Sequence, residues 1–276
     1  MTEAITDLDK LCIHTITTKP WNIETAISKY SKAGVRGITV WRQWLENRDI
    51  NTVHRQIVEA GLQTVSICRG GFFPNIDKKA RQQAIEDNIR SLEEAAALNA
   101  PHVVLVCGAD PKQSLETSRQ QILDGIFAVL DTARDLGVKL AIEPLHPMYA
   151  DTRSAVNTMK QANDLCDKID DPFVGVAVDV YHVWWDPDLK KQVRRCGTKK
   201  RIFAFHICDW LSPTKDLLND RGLMGDGCIP IPHIRGLVES SGFKGFNEVE
   251  IFSNHWWQQD QDVFLNSIIE TYKRFA

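Results

Sequence analysis

The chain has 276 residues, a net charge of −3, 43% hydrophobic and 25% charged residues. That balance offers no basic field for nucleic acid or an anionic membrane, and no apolar run nears the roughly 20 residues of a membrane span. The start, MTEAITDLDK, is too polar for a signal peptide. Strand-like apolar runs are read at 11–16 (LCIHTI), 36–41 (RGITVW), 63–68 (QTVSIC) and 102–107 (HVVLVC). Four more follow at 139–143 (KLAIE), 174–180 (VGVAVDV), 202–208 (IFAFHIC) and 247–252 (NEVEIF). Helical spacing fills the intervals at 22–33, 50–60, 77–99, 114–136, 154–168, 188–196, 230–241 and 260–274.

Gly34, Gly61, Gly137 and Gly242 stand where helices end, the position that favours a left-handed residue. Eight strand–helix pairs in strict order predict parallel strands, right-handed crossovers and closure as an α/β (β/α)8 TIM barrel, one domain over 1–276. An open dinucleotide-binding sheet is disfavoured, since no GxGxxG follows the first strand. The seven cysteines are scattered and never spaced as CxxC. They point to a reducing cytoplasm rather than a disulfide framework or a thiolate zinc site.

A buried carboxylate costs several kcal/mol unless paired or metal-bound. Barrels of this kind place reactive groups at the C-terminal ends of their strands. The last four strands each carry one metal-competent group there: Glu143 in LAIEPLHP, Asp179 in VAVDVYH, His206 in FAFHICDW and Glu250 in NEVEIFS. Any one alone reads equally well as a hydrogen-bonded strand end. Four at one level on consecutive strands read as a metal site, with oxygen-rich chemistry suited to Mn²⁺, Mg²⁺ or Co²⁺ and open to Zn²⁺.

With IEPL, DVYH, the strand-seven histidine and the strand-eight glutamate followed by Ile-Phe, the chain resembles the xylose isomerase-like barrel superfamily of sugar isomerases and epimerases. Asn157-Thr158 and the GDGCIPI stretch at 225–231 add to the likeness. The resemblance implies one divalent metal, Mn²⁺ foremost, held by Glu143, Asp179, His206 and Glu250. It implies that Glu143 and Glu250 also move a proton next to a carbonyl through an enediolate, and that His182 contacts substrate. The implied substrate is a small sugar or sugar derivative, and a homo-oligomer is compatible with the resemblance.

Two substrate-orienting residues of ketose 3-epimerases are missing: Tyr149 stands where they have glutamate, and Ser212 where they have arginine. Local replacements are His146 as a catalytic acid, Asp209 behind His206 or on a hydroxyl, and Arg221 as an anion clamp. Arg153 reads more readily as a surface charge. Arg69, in CRGGFFP, is placed to meet a substrate oxygen, and Trp41 and Trp185 to wall a sugar site. His14 reads as a core histidine more than a ligand. The leading reading is a metal-dependent sugar isomerase or epimerase. A lyase eliminating a β-substituent from a keto-sugar or keto-inositol is the alternative, with His146 supplying its acid. Abasic-site endonuclease chemistry is remote, because it needs more ligands and a basic face.

Overall fold

The strands in chain order are β1 (Leu11–His14), β2 (Gly37–Trp41), β3 (Gln63–Gly71), β4 (His102–Val106), β5 (Lys139–Glu143), β6 (Val174–Asp179) and β7 (Ile202–Ile207). After them come β8 (Asp209–Trp210), β9 (Arg221–Gly222) and β10 (Asn247–Val249). The coordinates, a computed structural model, describe residues 5–276; residues 1–4 of the polar start lie outside the described residues. Parallel pairing runs β1-β10-β7-β6-β5-β4-β3-β2 and closes on itself, while β8 and β9 form an antiparallel ribbon outside the ring. The helices are α1 (Ile23–Lys32), α2 (Ile50–Glu59), α3 (Lys78–Ala97), α4 (Leu115–Leu136) and α5 (Met159–Ile169). α6 (Val180–Val183), α7 (Leu189–Thr198), α8 (Ile231–Ser240) and α9 (Gln261–Phe275) complete the set. The fold is the (β/α)8 barrel that the alternation predicts. Among the described residues no helix is long and apolar enough to cross a membrane.

α1 shows how sequence fixes the outer layer. Asn22 caps it by accepting the Thr25 N–H at 2.9 Å, and Ile23, Ala26, Ile27 and Tyr30 fall on one buried face. Each buried isoleucine contributes about 1.5–3 kcal/mol relative to exposure. The helix ends at Gly34, whose φ of +82° a side chain would resist.

Three element ends differ most from the sequence reading. The helix expected from 154 begins at Met159, because residues before it are tied into a loop. There Asn157 donates to the Leu145 and Ser154 carbonyls, and Thr158 caps through the Gln161 N–H. β3 continues to Gly71, where Asn88 of α3 accepts the Gly71 N–H at 2.6 Å and donates to its carbonyl at 2.8 Å. β10 ends at Val249, although the Glu250 N–H still reaches the Ile207 carbonyl at 3.1 Å.

Strand alternation positions the site. Side chains two residues apart share a face, so Ala141, Ala177 and Ala204 lie directly below Glu143, Asp179 and His206. These alanines pack inside the barrel with Ile16, Trp41, Cys68 and Val104. Small side chains there leave room for polar groups above them. The larger core, with Ile38, Val103, Leu140, Val176 and Phe205, lies between the strands and the helices.

Candidate metal centre and substrate cavity

Glu143, Asp179, His206 and Glu250 each point a ligand atom to one place, all within 4.8 Å of one another and all buried. Register explains the convergence. Asp179 pairs with His206 across β6 and β7, and His206 pairs in turn with Glu248 of β10. One divalent cation can bridge such a spacing with small side-chain movements. Two of the four have uncommitted atoms, since Glu143 Oε1 and both ring nitrogens of His206 are buried without a hydrogen bond, while Asp179 and Glu250 accept from Arg221. His206 Nδ1 lies 3.0 Å from Glu143 Oε1 without hydrogen-bond geometry. Three carboxylates and one imidazole therefore fit a Mn²⁺-type ion, and equally Zn²⁺.

Beneath this set lies a fourth buried carboxylate that the sequence reading passed over. Glu248 Oε2 accepts from Thr39 at 2.7 Å and Ser66 at 3.2 Å, and lies 3.3 Å from His14 Nε2 and 3.8 Å from His206 Nε2. The signal was present, since residues 248 and 250 must share a strand face. His14, read as a core histidine, sits edge-on to His206 with ring centres 4.7 Å apart. Its Nδ1 is 3.2 Å from Glu250 Oε1 and also 3.2 Å from the Trp41 indole nitrogen. A neutral ring accepts from Trp41; a protonated one donates to Glu250.

Charge pairing overrides burial throughout this layer. Burial alone would lower the His14 and His206 rings. Glu248 and Glu250 raise His14 to about 9, and Glu143 with Glu248 raises His206 to about 9. Burial would raise Glu248, but His14 and His206 hold it at about 2. A cation on His206 and a proton on that ring compete for the same nitrogen.

Arg221 enters from the ribbon and is buried. Its Nη1 donates to Glu250 Oε2 at 2.6 Å and lies 3.2 Å from Asp179 Oδ2, while its face covers Tyr181 and Phe252. Burial would raise Glu250, yet Arg221 and His14 hold it well below the carboxylate range. Asp179, more completely desolvated, is pushed up despite Arg221. His182 Nε2 lies 3.3 Å from Arg221 Nη2 and 3.5 Å from Asp179 Oδ2, and its Nδ1 accepts the His146 N–H. Burial and Arg221 keep this ring neutral.

A narrow cavity of about 30 Å³ opens above the donors, lined by Trp41, Arg69, Glu143, Tyr149, Arg153, His182, Leu218, Arg221 and Glu250 among others. It gathers Trp41, Arg69, His182 and Arg221 from the expected substrate set, and adds Arg153. Tyr149, in place of the epimerase glutamate, donates its hydroxyl to the Leu217 carbonyl and closes one side. Three expected residues lie elsewhere. The Asp209 carboxylate is bound by the backbone N–H groups of Trp210, Gly225 and Ile229, which makes it the anchor of the GDGCIPI loop. Trp185 donates to the His182 carbonyl and packs on His146. His146 accepts the Met148 N–H and packs against Trp185 and Trp210, outside the cavity lining. A larger hollow of about 540 Å³ at the opposite mouth, between Lys139, Phe203 and Phe243, is lined by no carboxylate.

Comparison with known proteins agrees with this architecture. The inosose isomerase of Halalkalibacterium halodurans is 24% identical over 204 residues, spanning 72% of this chain and 70% of its own. A solved protein of Sinorhizobium meliloti 1021 superposes with a TM-score of 0.95 at 44% identity, covering 98% of this chain and 99% of that one. An IOLI protein solved with a bound zinc atom gives 0.84 at 22% identity over 95% and 96% of the two chains, a likeness of fold. The xylose isomerase-like TIM barrel family matches residues 27–268. With that match covering most of its length, the chain belongs to the xylose isomerase-like TIM barrel family.

Proposed function

We propose that the protein is a divalent-metal-dependent isomerase or epimerase of a small sugar or sugar derivative. The observation that carries this reading is the convergence of Glu143, Asp179, His206 and Glu250 at the foot of a narrow cavity. These four residues would hold the metal, Mn²⁺ or Zn²⁺ by donor type. When bound, such an ion polarises a carbonyl and makes the neighbouring C–H more acidic. Arg221 and His14 keep Glu250 ionised, so it can accept that proton as one of these donors yields its oxygen. Glu143, whose Oε1 has no hydrogen bond, is the second group able to carry it. Arg221 and His182 orient substrate oxygens, and Trp41, Phe252 and Leu218 keep water out. The isomerase named among the relatives supports the reaction class. The unpaired thiols suit a reducing compartment such as the cytoplasm.

The lyase alternative relied on His146 as the acid for a leaving group. That ring packs between two tryptophans away from the cavity lining, so proton transfer without elimination is preferred. Metal-loaded protein incubated with ketoses and keto-inositols in D₂O decides the matter by NMR. Deuterium at the carbon beside the carbonyl in a rearranged sugar is the expected result. An unsaturated product would establish elimination, and full activity in Glu250→Gln would refute the carboxylate as proton carrier.

A further inference from the structure

Among the described residues, the buried and half-buried arginines divide into those whose guanidinium has a carboxylate or carbonyl partner and those without one. Arg42 is paired with Asp87 and Glu94, Arg201 with Asp167 and Asp170, and Arg221 with Asp179 and Glu250. Arg69 and Arg153 are different. Among the described residues neither has a carboxylate within ion-pair distance or a hydrogen bond from its guanidinium, yet both are half-buried and line the same narrow cavity. Their only close partners are ring faces, Phe72 at 4.1 Å from Arg69 and Tyr149 at 5.8 Å from Arg153. Burial holds the Arg69 guanidinium below its ordinary range, and the neighbouring Arg153 charge lowers it further.

Both arginines stand on fixed backbone. Asn88 grips Gly71, two residues after Arg69, and the Arg153 carbonyl accepts the Gly108 N–H at 2.8 Å. The backbone that carries each arginine is therefore held in place beside the cavity. The cavity's own carboxylates do not answer them: Glu250 is taken by Arg221, and Glu143 faces His206. Two like charges held together without a counter-charge are unfavourable unless a ligand supplies one, and guanidinium forks match the oxygens of carboxylate and phosphate.

We propose that Arg69 and Arg153 form an oxyanion subsite, so that the substrate is a sugar derivative bearing a carboxylate or phosphate rather than a neutral sugar. The inference rests on the isomerase reading only for the reacting end of the molecule. It assigns the charged end to Arg69 and Arg153 and leaves the carbonyl end beside Glu143 and Glu250.

The test compares D-fructose, D-fructuronate and D-fructose 6-phosphate on the metal-loaded protein. Binding is followed by calorimetry, and exchange of carbon-bound hydrogen by NMR in D₂O. At least one anionic probe is expected to bind tenfold or more tightly than D-fructose, and the two anions tell carboxylate from phosphate. Arg69→Gln and Arg153→Gln should each remove at least tenfold more affinity from that anion than from D-fructose, with metal content and thermal midpoint confirming a folded site. Should neither anion bind more tightly than D-fructose, or should the variants weaken charged and neutral probes alike, the inference is overturned. Anion preference without proton exchange on any probe would uphold the subsite and remove the isomerase reading. Exchange on D-fructose with no anion preference would do the reverse.

Discussion

Glu248 has no place in the four-ligand set, yet it touches more of the site's scaffold than any ligand does. It takes hydrogen bonds from Thr39 and Ser66 and stands against the imidazoles of His14 and His206. A carboxylate behind a ligating histidine fixes the ring's orientation and raises its basicity. Glu248→Gln keeps the volume and removes the charge. Metal titration is expected to show affinity weakened by about 10–100-fold in a barrel that still folds. An unchanged affinity would mean that packing alone orients His206. The four candidate ligands were legible because each lies at or near the end of a recognisable apolar run. Glu248 was not singled out because a glutamate within a strand reads as an outward-facing residue until the alternation with Glu250 is applied. Asp209 and His146 show how a polar residue near a strand end can be engaged by its own loop.

At the scale of elements, the helix–strand contact that matters most to the cavity is Asn88 of α3 against the end of β3. One amide satisfies both the N–H and the carbonyl of Gly71, and it donates to the Ala84 carbonyl as well. Asn88→Ala leaves two buried backbone groups without partners, at about 1–3 kcal/mol each. Denaturant unfolding should therefore show a loss of about 2–6 kcal/mol. A loss below 1 kcal/mol would mean that the strand end is held by other contacts. The alternation of runs placed the eight barrel strands and their helices, since periods of two and of 3.6 are strong over five or more residues. It did not foresee the β8–β9 ribbon. Two-residue strands carry no period, and the ribbon's pairing depends on Trp210 meeting Arg221 across a ten-residue loop. That loop delivers Arg221 to the candidate metal ligands, so the least legible element supplies one of the site's most buried charges.

For the molecule as a whole, His102, buried beside the hollow at the barrel's lower mouth, couples stability to pH. In an unfolded chain its ring titrates near 6.5. In the folded protein, burial lowers it to about 4, with Glu248 opposing only in part. Between those values the unfolded chain binds the proton more strongly, so stability falls as pH drops from about 6.5 to about 4, by about 3 kcal/mol in all. Thermal melts across that window should show this decline, and it should be shallower in His102→Gln. Equal slopes in the two proteins would place His102 in contact with solvent.

The seam between β1 and β10 has a consequence for how the protein is made. His14 and Glu248 are 234 residues apart in sequence, and β1 acquires its second neighbour only when Asn247–Val249 arrives. A nascent chain lacking that segment presents two open sheet edges, at β1 and at β7, each able to pair with another chain. It also lacks Glu250, and with it a quarter of the metal site. Ion capture is thus expected to follow ring closure during biosynthesis. The moment at which a growing chain first retains metal would mark the moment at which its last edge is covered.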